Sequence, residues 1–235
     1  NNTAIGMCSL FGNTSGCFNT AVGANSMVAN TSGCFNTAVG YISLVSNTTG
    51  LCNTAVGGYA MCATTFGSAN VSLGSFALCG NTSGSCNVAV GASALSNNTT
   101  GCFNTAVGWS AALSNGVAVG NTAIGFAALC ANSCNYNTAV GYTALSANTS
   151  GSLMTALGAF SLASNTTGFC NTAVGYASLN SNTTGARNTA VGTNALSSSI
   201  SSISFVKPWL RPDLMLLFSL TLSFAVGVPK VFSDL

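Results

Sequence analysis

The sequence predicts an all-β fold, a parallel β-solenoid of about twelve rungs of 17 residues, and three observations carry that prediction. The first is a repeat. Asn-Thr-Ala-Val/Ile-Gly begins at Asn2, Asn19, Asn36, Asn53, Asn104, Asn121, Asn137, Asn171 and Asn188, with degenerate copies at Asn70, Asn87 and Met154. Successive starts lie 17 residues apart, except for 16 between Asn121 and Asn137. The second is the length of the unit, since helical solenoid repeats need about 34 residues or more. The third is local chemistry: Thr-Ala-Val favours an extended chain, and Asn-Thr-Thr/Ser-Gly supplies the positive-φ residues of a tight turn. The repeats occupy residues 1–196, a Ser/Ile linker follows over 197–204, and an apolar segment of different composition fills 205–235.

The strand comes first in each unit. Position four runs from Ile5, Val22, Val39 and Val56 to Val191 and is apolar throughout, and position nine runs from Leu10, Met27 and Leu44 to Leu196. These two columns are the expected core. One rung cannot bury them, but rungs stacked at about 4.8 Å make a continuous apolar file about 58 Å long. Position one is Asn in eleven of twelve rungs, and stacked buried amides hydrogen-bond along such an axis. Position two is mostly Thr, with Val71 and Val88 as exceptions, which points to partial burial; a regular Thr file on a flat face is also a candidate for ordering water and binding ice.

The turn follows at positions twelve to fifteen. Asn13, Asn30, Asn47, Asn81, Asn98, Asn148, Asn165 and Asn182 each open an N-glycosylation acceptor triplet. Two readings stand: the triplets are incidental to good turn chemistry, or sugars on one edge solvate a surface that lacks charge.

The last positions and position six carry bulky apolar residues. Cys17-Phe18, Cys34-Phe35, Leu51-Cys52, Cys102-Phe103 and Phe169-Cys170 form one edge, while Trp109, Phe126 and Tyr142 fall in position six of three consecutive rungs, with Tyr41 and Tyr176 farther along. Pointing outward, these residues make a strip for lateral self-association; a wide cross-section would instead take them inside. Eleven cysteines without a His favour disulfides over zinc and an oxidising compartment. Cys17 with Cys34, and Cys62 with Cys79, share a column one rung apart and are the expected axial disulfides. Cys86 with Cys102 is a weaker diagonal candidate, Cys130 and Cys134 are unassigned, and plain small packing residues are the alternative role.

Beyond Leu196 come all three prolines and five of the six charges. Phe218, Leu220, Leu222 and Phe224 alternate with Ser and Thr as in a strand, and are candidates to cap the last rung or to dock on a neighbouring subunit. A membrane-inserted hairpin or a lipid-anchor signal is the rival reading, so membrane contact through this segment stays open. The chain opens in mid-pattern at Asn1 without Met or a leader, as a processed product or fragment does.

The repeat unit resembles the head repeats of trimeric autotransporter adhesins, and similar units occur in phage and viral fibres. The resemblance covers residues 2 to about 196. It implies a left-handed coil, three chains side by side, and a rod that binds a host or matrix ligand. The chain shows no neck, heptad stalk or membrane-anchor strands of that family.

Composition narrows the function. Six charged residues in 235 are far below the roughly one quarter of an ordinary soluble chain. With no His, no Glu and only Asp213 and Asp234 as carboxylates, acid–base catalysis has almost nothing to use, so the expectation is a protein that is not an enzyme and needs no cofactor or metal. No basic patch serves nucleic acid. The expected role is an extracellular or cell-surface structural protein that assembles with itself, as a trimer or filament, into a fibre or appendage. An adhesin or viral fibre head is the first alternative and an ice-binding solenoid the second.

Overall fold

The computed structural model describes residues 1–198, and the Ser/Ile linker beyond Ser198 and the segment carrying Phe218, Leu220, Leu222 and Phe224 lie outside the described residues. Each unit contributes one three-residue strand, from β1 (Thr3–Ile5) and β2 (Thr20–Val22) to β12 (Thr189–Val191), and the twelve form a single parallel sheet in sequence order. The register is 17 residues throughout, with Val22 paired to Val39 and Val39 to Val56, and 16 residues only where β8 (Thr122–Ile124) meets β9 (Thr138–Val140). The chain is a β-solenoid, and no helix occurs among the described residues.

Hydrogen bonding between coils continues beyond the strands. The amides of Met27, Ala29 and Thr31 donate to the carbonyls of Ser43, Val45 and Thr48 in the next coil, and that of Asn25 donates back to Met7. Backbone groups that a lone 17-residue coil would leave unpaired are thus satisfied by its neighbours. This is why no unit folds alone.

The core differs from the sequence expectation at one column. Position nine is inside, as Met27, Leu44, Met61 and Leu129 show, but position four is not: Val22, Val39 and Val56 are half-exposed, and Ile124 is 38% exposed. The inward residue of each strand is the alanine at position three, from Ala21 and Ala38 to Ala190, with Ser72 as the single polar substitute. Strand residues alternate between faces, so Thr and Val share the outer face and only the middle residue points in. The Ser72 hydroxyl donates to the Ala77 carbonyl at 2.8 Å, which satisfies it in the core. Positions seven, nine and seventeen adopt left-handed φ near +50 to +60°, among them the buried Leu44 and Leu95. That conformation costs an L-residue about 1–2 kcal/mol. At position nine, burying a Leu returns about 1.5–3 kcal/mol, which offsets the cost.

Two files of buried asparagine complete the interior. At position one, Asn36 Oδ1 accepts from the Asn53 amide at 2.9 Å, while Asn36 Nδ2 donates across the coil to the Gly50 carbonyl at 2.8 Å. At position twelve, Nδ2 in most rungs donates to the glycine carbonyl three residues on and to Oδ1 of the preceding rung, as Asn98 does to Gly101 and Asn81. The short rung keeps this pattern, because the Cys134 carbonyl receives both Asn121 and Asn132 in place of the missing glycine. Thr64 breaks the second file and leaves Asn47 Oδ1 buried without a partner. Replacing Thr64 with Asn is expected to restore the file and stabilise the fold by about 1 kcal/mol. A rise in the urea midpoint with an unchanged slope checks it.

Candidate functional site

The most distinctive surface is a ladder of aromatic rings. Trp109, Phe126 and Tyr142 sit at position six of rungs seven to nine, at the outer bend just after the strand, and are 54%, 43% and 50% exposed. The aromatic strip therefore points outward. Their ring centroids are 4.9 and 5.0 Å apart with interplanar angles of 15° and 9°, close to the rung spacing. Phe160 and Tyr176 extend the file by edge-on contacts at 5.3 and 5.7 Å. A second file joins Tyr41, Tyr59 and Phe76, with Tyr59 and Phe76 stacked at 5.0 Å. Following position six alone misses Tyr59, Phe76 and Phe160, which stand at position seven. The adjacent left-handed residue reaches the same file, and reading the two positions together would have found it.

The stacking decides what this ladder can do. Rings of Trp109, Phe126 and Tyr142 cover one another's faces, so they present mainly edges to solvent, whereas a sugar stacks on an open ring face. Each pair adds about 0.5–1.5 kcal/mol to the rod itself and leaves an apolar rim for a partner. The edge at positions sixteen and seventeen behaves similarly. Phe18 and Phe35 stack at 5.1 Å, and Phe103, Tyr136 and Leu153 are exposed. Arg187, the one charged side chain among the described residues, lies 5.3 Å over the Phe169 ring. No charge therefore opposes close approach along most of the rod.

The outer face of the sheet carries the Thr column beside the Val column. Thr20, Thr37, Thr54, Thr105, Thr122 and their counterparts are half-buried, as expected of the position that Val71 and Val88 also occupy. Position thirteen behaves differently, since Thr31 Oγ1 donates to the Thr48 carbonyl at 3.0 Å.

The glycosylation candidates are corrected by burial. Asn30, Asn47, Asn81, Asn98, Asn148, Asn165 and Asn182 are fully buried, and Asn13 in the first rung is partly buried. Nδ2, the atom a sugar would occupy, is already committed: Asn30 donates to Asn13 and Gly33, and Asn165 to Asn148 and Gly168. A glycan on any of the seven buried residues is incompatible with this coil. The triplets are turn and core chemistry.

The cysteines are all thiols here. Cys17 and Cys34 Sγ are 3.0 Å apart, and Cys62 and Cys79 face each other in the same column, so both expected pairs are juxtaposed without being bonded. No sulfur contact joins Cys86 to Cys102. Cys130 has no thiol partner, and burial pushes its thiol up. Among the described residues no group of three or more His, Cys, Asp or Glu is placed to hold a metal ion.

No protein-family model matches the chain, and neither a curated protein nor a solved structure matches it.

Proposed function

We propose that this solenoid is an extracellular structural protein that packs against copies of itself in a fibre or surface appendage, and that it is not an enzyme. The observation that supports this most is the outward stack of Trp109, Phe126, Tyr142, Phe160 and Tyr176 on a rod with one charged side chain among its described residues. Contiguous exposed apolar strips of this kind mark interaction surfaces. A second copy suits this one because it presents the same period: a neighbour with the same rung spacing matches the ladder at every rung, and neither surface carries charges to desolvate. The fold supplies stiffness along the axis through its hydrogen-bonded coils, and the aromatic rim supplies lateral adhesion.

Sedimentation of the natural chain beside the triple variant Trp109→Ser, Phe126→Ser, Tyr142→Ser tests the reading. The natural chain is expected to assemble, and the variant to associate at least about tenfold more weakly, the effect of losing roughly 1.4 kcal/mol or more at the contact. Equal assembly of the two overturns it. A discrete trimer rather than larger particles would favour the adhesin-head alternative, with a host or matrix ligand as partner. The ice-binding alternative draws on the Thr file, whose position-two hydroxyls form no hydrogen bond within the described residues while those at position thirteen do. Thermal hysteresis retained by the dispersed variant would favour that alternative.

A further inference from the structure

Two cysteine pairs stand one rung apart in a shared column. Cys17 and Cys34 bring their Sγ atoms to 3.0 Å, and the Cys17 amide donates to Cys34 Sγ at 3.0 Å. Cys62 and Cys79 occupy position ten of the fourth and fifth coils, whose strands pair in register, and Cys62 Sγ lies 3.5 Å from the Cys79 carbonyl. All four are half-exposed, so a small reagent reaches them and they are not core packing residues. The spacing of neighbouring rungs, about 4.8 Å, lies within the Cα separation that a disulfide spans. Closure therefore needs only side-chain rotation. None of the remaining thiols shows such a neighbour.

We propose that these pairs are reversible thiol–disulfide exchange sites that react with a small-molecule disulfide of the glutathione disulfide class and close into axial staples. At the second pair, Cys79 attacks and Cys62 resolves. The hydrogen bond from Cys62 pulls the Cys79 thiol down to about 7 against the opposing effect of burial, while the same bond and burial push Cys62 up. The Cys79 thiolate forms a bond to one glutathione sulfur and expels the other as glutathione thiolate, which takes up a proton. Cys62 then gives up its proton to water, attacks Cys79 Sγ, and expels the second glutathione. In sum, two protein thiols and one glutathione disulfide become one protein disulfide and two glutathione thiols. The staple joins consecutive coils, so oxidation tightens the rod without changing its register.

The test uses the full natural chain, reduced and then exposed to glutathione disulfide at pH 7. Peptide mapping by mass is expected to find Cys17 joined to Cys34 and Cys62 joined to Cys79, each pair lighter by two hydrogens and free of glutathione. The thermal midpoint is expected to rise by roughly 5 °C or more, and reductant to reverse it. Glutathione retained on Cys62 or Cys79, or pairing to other cysteines, overturns the proposal. The order of attack is read by alkylation at pH 7. Cys79 is expected to react about fivefold more slowly in Cys62→Ala, the net of less thiolate and a more nucleophilic sulfur. Cys62→Ser, which keeps a donor, is expected to keep the faster rate. An unchanged rate in Cys62→Ala overturns the assignment of Cys79 as the attacking thiol. Neither readout depends on self-association.

Discussion

Replacing Asn98 with alanine is expected to destabilise the solenoid by about 4 kcal/mol, one of the largest effects of any single side chain. Asn98 is fully buried and donates to Asn81 Oδ1 at 2.9 Å and to the Gly101 carbonyl at 3.0 Å, while its own Oδ1 accepts from Asn115 Nδ2 at 3.0 Å. Truncation leaves Asn81 Oδ1 buried without a partner and takes one bond each from the Gly101 carbonyl, which keeps Asn87, and from Asn115 Nδ2, which keeps Ala118. The orphaned oxygen costs about 1–3 kcal/mol and each lost bond about 1 kcal/mol more. A urea titration monitored by circular dichroism reads the effect. A shift in midpoint that corresponds to less than about 1 kcal/mol would contradict the structural weight given to the continuous amide file. A glycan on the buried triplets would cost the same bonds, because a glycosylated Nδ2 keeps one hydrogen where Asn98 serves two acceptors.

Replacing Gly91 with alanine is expected to cost about 3 kcal/mol or more and to open the joint between the sixth and seventh coils. Gly91 has φ near +129°, and a Cβ there would stand 2.5 Å from the Gly108 carbonyl oxygen and 2.7 Å from its carbon. Both partners are backbone, fixed by the next coil, so the clash has no flexible end to yield. Gly58 is the internal control. It lies at position six with ordinary φ and open space around its Cβ position, and Gly58→Ala is expected to be neutral or to stabilise slightly, by about 0.5 kcal/mol, through the unfolded chain. Hydrogen exchange at the Gly108 amide, which donates to Val90 at 2.8 Å, reports whether the joint opens. Equal stability of the two variants would contradict the tight stacking of coils.

The period, the strand positions and the file of aromatic residues at position six were legible because each depends on spacing alone, whereas the outward direction of that file depends on the width of the coil and came from the exposure of its rings. The identity of the core column was not. Hydrophobicity favours Val over Ala, so position four reads as interior, but the limiting quantity inside a 17-residue coil is volume. The sequence does hold that signal. Position three is Ala in every unit except for Ser72, whereas position four wanders among Val, Ile and Leu, and tolerance of size belongs to an outer face. The Asn turn column misled for a related reason. Asn is normally exposed, and only the stacking of its amides, each donating to the rung before, makes burial favourable. Position seven was overlooked because a left-handed bulky residue is rare in most folds, yet here Tyr59, Phe76 and Phe160 adopt φ near 58° and complete the ladder. The cysteine pairs followed directly from the period, while the contact of Cys62 Sγ with the Cys79 carbonyl depends on side-chain geometry.

Like side chains lie above like because each coil hydrogen-bonds to the next in a fixed register, and both the ladder and the staples depend on that. Scalar couplings across hydrogen bonds in the labelled natural chain measure it directly. Coupling is expected from the Thr37 amide to the Asn53 carbonyl, from Thr54 to Asn70 and from Thr105 to Asn121, all donors at 2.8 Å and sixteen residues from their acceptors. Couplings from these three amides to carbonyls at any other separation, including those within their own unit, would contradict the stacked coil and the functions drawn from it.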